Sequence, residues 1–504
     1  MSTYPRDKRK ISPLGMTGEQ FIAAGQSSIE QIEKYYSTIA KRPVLPSISP
    51  GYLQKILPDE APFHGEDWET IVKDLEGKIM PGMTHWQHPK FMAFFPSSST
   101  YPAILGEMWS AALNLPAFNW ICSPAVTELE TITMDWLAKI LCLPETFLSK
   151  SEGGGVIQGT ASEAIVTVMV AARERYIRRQ LEREGITGEE AIEDRSCELR
   201  GKLVAFGSEQ AHSSTKKGAI VAGLRFRSIK VEESNDYEME GQHVLAKLDE
   251  AAKKGLLPCY LNVSIGTTNT CAIDDLKEIA KVLKKYPDVW VHCDAAHAGA
   301  ALCLPEYQYL SSLLSYCDSF DLNLHKWLLV NFDASCLFVQ HRKDLINTFS
   351  IAPAYLQNTY SSSGLVTDYR DWSIPLGRRF RALKIWFVLR TWGIDGLRKH
   401  VEYHIALGEL FAELLRTRSD LFSILTTPRF ALTVFTVRKN NELTKKVLEK
   451  VEEEKEYFLT SSTIGDTFAI RVVSANPMAE EKYVRDLFEK FVKNTEAVLG
   501  EAKA

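Results

Sequence analysis

Several features that narrow a function at once are missing from this sequence. Its nine cysteines, at 122, 142, 197, 259, 271, 293, 303, 317 and 336, include no CxxC pair and no ligand-like spacing. That pattern argues against a disulfide framework or a metal site and for reduced, packed thiols. No apolar run is long enough to span a bilayer. The opening MSTYPRDKRKISPLG lacks the apolar stretch of a secretory signal. Net charge is −5, so no positive excess invites nucleic acid or an anionic membrane. Neither the Walker GK[ST] pattern nor GxGxxG occurs, and no repeat or low-complexity tract is visible. The expectation is a soluble, cytoplasmic protein with no metal, nucleic-acid or membrane partner. At 504 residues, 45% hydrophobic and 24% charged, the chain can bury a large core.

What is present is an alternation of strands and helices. Residues 17–41 and 68–79 read as helices, separated by a connector rich in proline (Pro43, Pro46, Pro50, Pro58). With few strand signals, this N-terminal part needs a surface to lie against, and a partner subunit is expected to supply it. From about residue 100, β-rich runs at 153–159, 202–208, 226–232, 259–266, 289–296, 319–324 and 334–340 alternate with helical patterns, among them 125–141 and 162–183. Such βαβ order predicts an α/β fold with a mainly parallel sheet covered on both faces. A helical region follows over 376–418, broken near Gly393 and Gly396. The tail reads strand 430–438, helix 441–455, strand 468–475, helix 480–499. Three parts are expected: an N-terminal helical dimerisation segment (1–100), a large α/β domain (101–375) and a small α+β domain (376–504).

Ligands of open α/β sheets bind at the C-terminal ends of strands, so the residues there matter most. Gly159-Thr160-Ala161-Ser162 opens a helix whose free N–H groups would suit a phosphate, although Ser162 would equally serve as an ordinary cap. Asp294 follows a β run, with Ala295 and Ala296 leaving room for a flat ring. His212 stands between strand and helix and could stack on such a ring. In FDLNLHKWLLVNF, Lys326 lies among apolar residues, where burial would depress its pKa and make it nucleophilic. A phosphate cradle, a carboxylate for a ring nitrogen, a stacking imidazole and a Schiff-base lysine together specify pyridoxal 5′-phosphate.

Longer motifs carry a resemblance. THWQHPKFMAFFP (84–96), SPAVTELETITMDWL (123–137), GGGVIQGTASEA (153–164), SEQAHSS (208–214), IGTTNTCAIDDL (265–276), HCDAAHAGAA (292–301), NLHKWLLVNFDAS (323–335) and GLVTDYRDWSIPLGRRFRALKIWFVLR (364–390) resemble, in order, the group II pyridoxal-phosphate decarboxylases, specifically the aromatic-L-amino-acid decarboxylases. The resemblance implies an aspartate aminotransferase-like fold (fold-type I), a homodimer with its active sites at the subunit interface, and conversion of an aromatic amino acid to an arylalkylamine and CO₂. It implies that Lys326 carries the cofactor, Asp294 pairs with its ring nitrogen and His212 stacks on the ring. Ala161, Ser162 and Asn323 would hold the phosphate, with Thr160, Thr268, Ala296 and His325 also against the cofactor. Trp86, Phe94, Phe95 and Pro96 would line the substrate side, and Phe118 would reach into the neighbouring subunit's site.

The resemblance also makes Tyr369, on a polar and mobile lid (QNTYSSSGLVTDYR), the residue that protonates the substrate carbon. With His212, it favours an amine product over the aldehyde made by related synthases. Three positions depart from the family's usual residues: Leu324 for Pro, His297 for Tyr, and Thr160 for Ser. His297 is expected to alter the pH profile through its closeness to Asp294.

Overall fold

A computed structural model describes residues 14–351, 360 and 366–501. Seven strands form the central sheet: β1 (Gly154–Gln158), β2 (Leu203–Ser208), β3 (Arg225–Ile229), β4 (Leu257–Ser264), β5 (Trp290–Asp294), β6 (Ser319–Asn323) and β7 (Ser335–Val339). Their order is β1-β7-β6-β5-β4-β2-β3. Strands β6, β5, β4, β2 and β3 pair in parallel, while β7 is antiparallel to both of its neighbours. The sheet is therefore mainly parallel, as expected, with one reversed strand.

Every residue of β1, β2, β5, β6 and β7 is buried, because both faces are covered. On one face, the helix Ala161–Glu184 packs Ala164, Ile165 and Val168 against Val156, Tyr260, Trp290 and Leu337. On the other, helices Pro124–Ile140, Gly241–Lys253 and Leu276–Leu283 pack against Phe206, Val263, Cys293 and Phe320. The Ala161–Glu184 helix starts one residue earlier than expected. Its cap is Thr160, whose side chain accepts from the Glu163 N–H, so Ser162 is not the capping residue. Gly185, at φ 66°, ends it. Strand β5 stops at Asp294, where the Ala296 N–H turns back to Asp294 Oδ1.

A second, antiparallel sheet lies toward the C-terminus: β8 (Phe422–Ile424), β9 (Leu432–Val437), β10 (Thr460–Ile464) and β11 (Thr467–Val473), ordered β10-β11-β9-β8. Helices Asn441–Glu453 and Glu481–Glu501 cover it, with Val447, Leu487 and Phe491 against Phe435 and Ile470. The long helix Arg381–Thr417 is broken at Gly393, where φ 62° and ψ 178° are readily adopted by glycine. Near the N-terminus, helix Gly18–Thr38 carries a Thr17–Gln20 capping box and buries none of its residues. Residues 90–92 bond to the small sheet, through Met92 N to Phe458 O and Val473 N to Met92 O. Ser98 and Thr100 bond to the large sheet's loops.

The buried pair Glu130–Arg378 ties three elements together. Arg378 donates to both carboxylate oxygens and to the Ile157 carbonyl, while Glu130 accepts from the Ile157 N–H of β1. Removing one partner leaves the other charge buried and uncompensated. Arg378→Ala is expected to cost about 3–5 kcal/mol, measured as a lowered urea midpoint at unchanged slope.

Candidate active site

The ten residues expected to contact the cofactor all border one cavity of about 200 Å³. It opens where the parallel strands end. Thr160, Ala161 and Ser162 come from the turn after β1 and His212 from the turn after β2. Thr268 follows β4, Asp294 ends β5 with Ala296 just after it, and Asn323 ends β6 with His325 and Lys326 just after it. The strand order places these ends side by side, although they are far apart in the chain.

At the phosphate end, Thr160 and Glu163 use their side chains on local N–H groups, Thr160 on Glu163 and Glu163 on Gly159. The N–H groups of Ala161 and Ser162, in the first turn, have no intrahelical acceptor. The buried Asn323 borders the same cavity with its Oδ1 unpartnered among the described residues, and its amide N–H groups are the donors a phosphate would take. Gly266, also on the cavity wall, has φ +82°, and a Cβ there would come within 2.5 Å of the Ala298 side chain.

Lys326 sits in the short helix Leu324–Trp327, which is clamped on both sides. His325 Nδ1 accepts from the Ala334 N–H, Trp327 Nε1 donates to His404, and Ser98 donates to the Lys326 carbonyl. Leu324 donates its N–H to the Ala334 carbonyl at 3.0 Å, a bond that the proline usual in the family could not make. Burial pushes the Lys326 pKa below its ordinary value, against the pull of Asp294 and Asp321. Asp294 holds one oxygen on the Ala296 N–H and keeps its other available.

His212 is exposed on the cavity's outer wall in the single chain. Its Nδ1 takes the Ser214 N–H at 3.2 Å, so the neutral ring carries its proton on Nε2. Partial burial lowers its pKa. His325 is pushed down to about 4 by burial and by Lys326. His297 is sandwiched between Phe95 and Trp327, with centroids at 4.1 and 4.6 Å, and its Nε2–H meets the Phe430 carbonyl. Burial lowers His297 to about 3. It therefore stays neutral over the working range, contrary to the expectation that it alters the pH profile.

The donor set fits pyridoxal 5′-phosphate. Free N–H groups face an acceptor-rich phosphate, a carboxylate oxygen is available for a ring N–H, and a depressed amine lies between them.

The residues expected around the substrate are less gathered. Of Trp86, Phe94, Phe95, Pro96 and Phe118, only Phe95 borders the cavity of the single chain. Trp86 and Phe94 stack on each other, largely exposed. Tyr369 is placed differently from the expectation of a mobile lid. It is 3% exposed in a 3-10 turn, its hydroxyl meets Thr131 Oγ1 at 2.9 Å, and Arg378 lies over its ring. It does not border the cavity, because the Glu130–Arg378 pair and Trp372 hold it in the core. Most of the polar segment before it lies outside the described residues.

One further group went unnoticed in the sequence. Arg471 on β11 is buried, lies over Phe95 at 5.4 Å and donates to the Thr268 carbonyl. It has no acidic partner among the described residues, and burial lowers its pKa. The signal was an arginine within the apolar alternation of FAIRVVSA.

Residues 50–438 match the pyridoxal-dependent decarboxylase conserved domain. The aromatic-L-amino-acid decarboxylase of Rattus norvegicus is 40% identical over 476 residues, covering 94% of this chain and 97% of that protein. The phenylacetaldehyde synthase of Arabidopsis thaliana is 38% identical, covering 94% of this chain and 95% of that one. The crystal structure of Oryza sativa TDC with PLP and tryptamine superposes with a TM-score of 0.90 at 33% identity, over 97% of this chain and 99% of the other. The fold, the clustered residues and these full-length likenesses agree that the chain belongs to the pyridoxal-dependent decarboxylases, within the aromatic-L-amino-acid decarboxylase family, and is a carbon–carbon lyase dependent on pyridoxal 5′-phosphate.

Proposed function

We propose that the protein decarboxylates aromatic L-amino acids to the corresponding arylalkylamines, with tryptophan, 5-hydroxytryptophan, tyrosine, DOPA and phenylalanine as the candidate substrates. The observation that carries the reading is Lys326, an amine with depressed pKa facing Asp294 across a cavity at the sheet edge. When bound, pyridoxal 5′-phosphate supplies an electron sink for the bond broken at the substrate α-carbon.

The chain's own residues do the rest. Lys326 would hold the cofactor through its side-chain amine. Asp294 keeps the ring nitrogen protonated. The Ala161 and Ser162 N–H groups, with Asn323, fix the phosphate end, and Thr160, Thr268, Ala296 and His325 complete the wall. His212, on the cavity wall, would lie against the ring, with its Nδ1 held by the Ser214 N–H. The guanidinium of Arg471, which has no acidic partner among the described residues, suits the substrate carboxylate. Phe95 offers an aromatic wall to the substrate, and Trp86, Phe94 and Pro96 extend it.

A cavity of about 200 Å³ is smaller than the roughly 300–1,000 Å³ usual for ligand pockets. It therefore suits a cofactor without a substrate, so further walls are needed on the substrate side. A homodimer in which Phe118 enters the neighbouring site would provide one. The exposure of Phe21, Ile22 and Ile29 on helix Gly18–Thr38, and of Leu105, Met108 and Trp109 on helix Tyr101–Leu113, supports that assembly.

A second reading, an aldehyde synthase that consumes oxygen, is favoured by one observation: Tyr369, the expected ground for an amine product, lies away from the cavity. His212 then carries the argument for the amine alone. Measuring CO₂, amine and hydrogen peroxide over the five amino acids separates the two. Amine equal to CO₂ is expected, and peroxide equal to CO₂ would overturn it. Lys326→Ala is expected to lose both turnover and the chromophore that borohydride traps on the wild type; a variant that turned over normally would refute the assignment. Tyr369→Phe is expected to keep the wild-type product ratio and lose about 1 kcal/mol of stability with the Thr131 bond. A switch from amine to peroxide in that variant would return Tyr369 to the chemistry.

A further inference from the structure

The sheet face that carries Asp294 is polar for two layers below it. Alternate residues of a strand share a face, so Trp290, His292 and Asp294 of β5 line up, as do Ser319, Asp321 and Asn323 of β6. Asp294 stands in register beside Asp321, and His292 beside Ser319. Both His292 and Asp321 are fully buried. His292 Nε2 lies 3.3 Å from Asp321 Oδ1. On its other side, Ser319 Oγ bridges His292 Nδ1 at 2.8 Å and Trp290 Nε1 at 2.7 Å.

An ionised Asp321 only accepts, which puts the imidazole proton on Nε2 and turns the Ser319 hydroxyl toward Nδ1. The chain Trp290–Ser319–His292–Asp321 then runs donor to acceptor toward the cavity. The 3.3 Å contact is off the line of a good hydrogen bond, so His292 Nε2 and both Asp321 oxygens lack a hydrogen-bond partner among the described residues. A sheet interior gains no stability from an acid so poorly satisfied.

We propose that His292 and Asp321 are positioning residues for Asp294, a buried acid–imidazole pair that sets the negative charge felt at the cavity floor, with Asp321 beside Asp294 and His292 one layer beneath. This rests on the reading of Asp294 and Lys326 given above. The pair can take up one proton without changing any group on the cavity wall. The charged and titratable groups that face Asp321 on this side of the sheet are Asp294 and His292 of β5, Tyr260 of β4 and Lys326 beyond β6; Arg175 of the covering helix lies over Trp290 and pairs with Asp318. From β7 the neighbours on this face are Leu337 and Ser335, while Cys293 and Cys336 belong to the opposite face. Burial raises Asp321 to about 6. Above that pH the pair is anionic, and the field it adds favours the protonated form of the lysine-linked cofactor.

The test is an absorbance titration of the lysine-linked chromophore in the pyridoxal-phosphate-loaded wild type, Asp321→Asn and His292→Gln. Asn removes the charge at constant shape, and Gln removes the imidazole that holds Asp321 ionised. Both are expected to lower the chromophore's midpoint, Asp321→Asn by on the order of one unit. A role confined to folding would change stability and leave the midpoint in place. A folded, loaded Asp321→Asn with the wild-type midpoint overturns the proposal. If that variant does not take up the cofactor, the midpoint of His292→Gln decides in the same two ways. A wild type with no lysine-linked chromophore removes the reading of Lys326 and this inference together, which separates that failure from an unshifted midpoint.

Discussion

An ammonium or carboxylate taken out of water is costly unless an opposite charge stands near it. Lys326 and Asp294 meet that condition across the ends of two adjacent parallel strands, and much of the molecule serves to keep them there. Strand register fixes the carboxylate, because β5 pairs with β6 at Asp294 and Asp321. The amine follows β6 by three residues, so the turn Leu324–Trp327 must be rigid. Its clamps come from three distant elements: Ala334 before β7, Ser98 from the N-terminal part, and His404 from the long helix. None of these could be moved without moving the amine relative to the acid.

The compensation is incomplete by design of the sequence, and the chemistry depends on that. Asp294 and Asp321 pull the Lys326 pKa up, and burial pulls it down further. A fully paired lysine would remain an ammonium and would not attack a carbonyl. His297 and His325, both neutral through burial, border the lysine without adding positive charge. The family's usual tyrosine beside the aspartate is replaced here by an imidazole that is stacked on both faces and tied to Phe430. The replacement changes shape and hydrogen bonding while leaving the charge balance intact.

How much of this was legible in the sequence follows from where each signal lies. Lys326, Asp294, His212 and the Thr160–Ser162 turn could be read because each punctuates a strand end, and strand ends are marked locally by small and polar residues after a β-rich run. β8 and β10 were missed because one has three residues and the other, TSSTI, alternates exposure on a sheet edge. Ser162 was read as the cap because it follows Thr160 by two positions with the same chemistry, and only the Glu163 hydrogen bond separates them. Arg471 looked like one arginine among many until β11 placed it over Phe95.

Tyr369 shows how far sequence context carries, because the structure places it in the core of the single chain and not on the polar tract before it. The tract before it is polar and contains glycine, and mobility was extended from that tract to its last residue. Yet Tyr369 begins a turn whose next residues, Arg370 and Trp372, are buried as well, and a guanidinium fixed by Glu130 lies over its ring. The phenol is held between Thr131 and Arg378, and Arg378 is in turn fixed by Glu130, so Tyr369 stands in the core of the single chain and away from the cavity. His212, by contrast, is exposed in the single chain and, among the described residues, hydrogen-bonds only to its near neighbour Ser214, so it is held far less tightly than Tyr369.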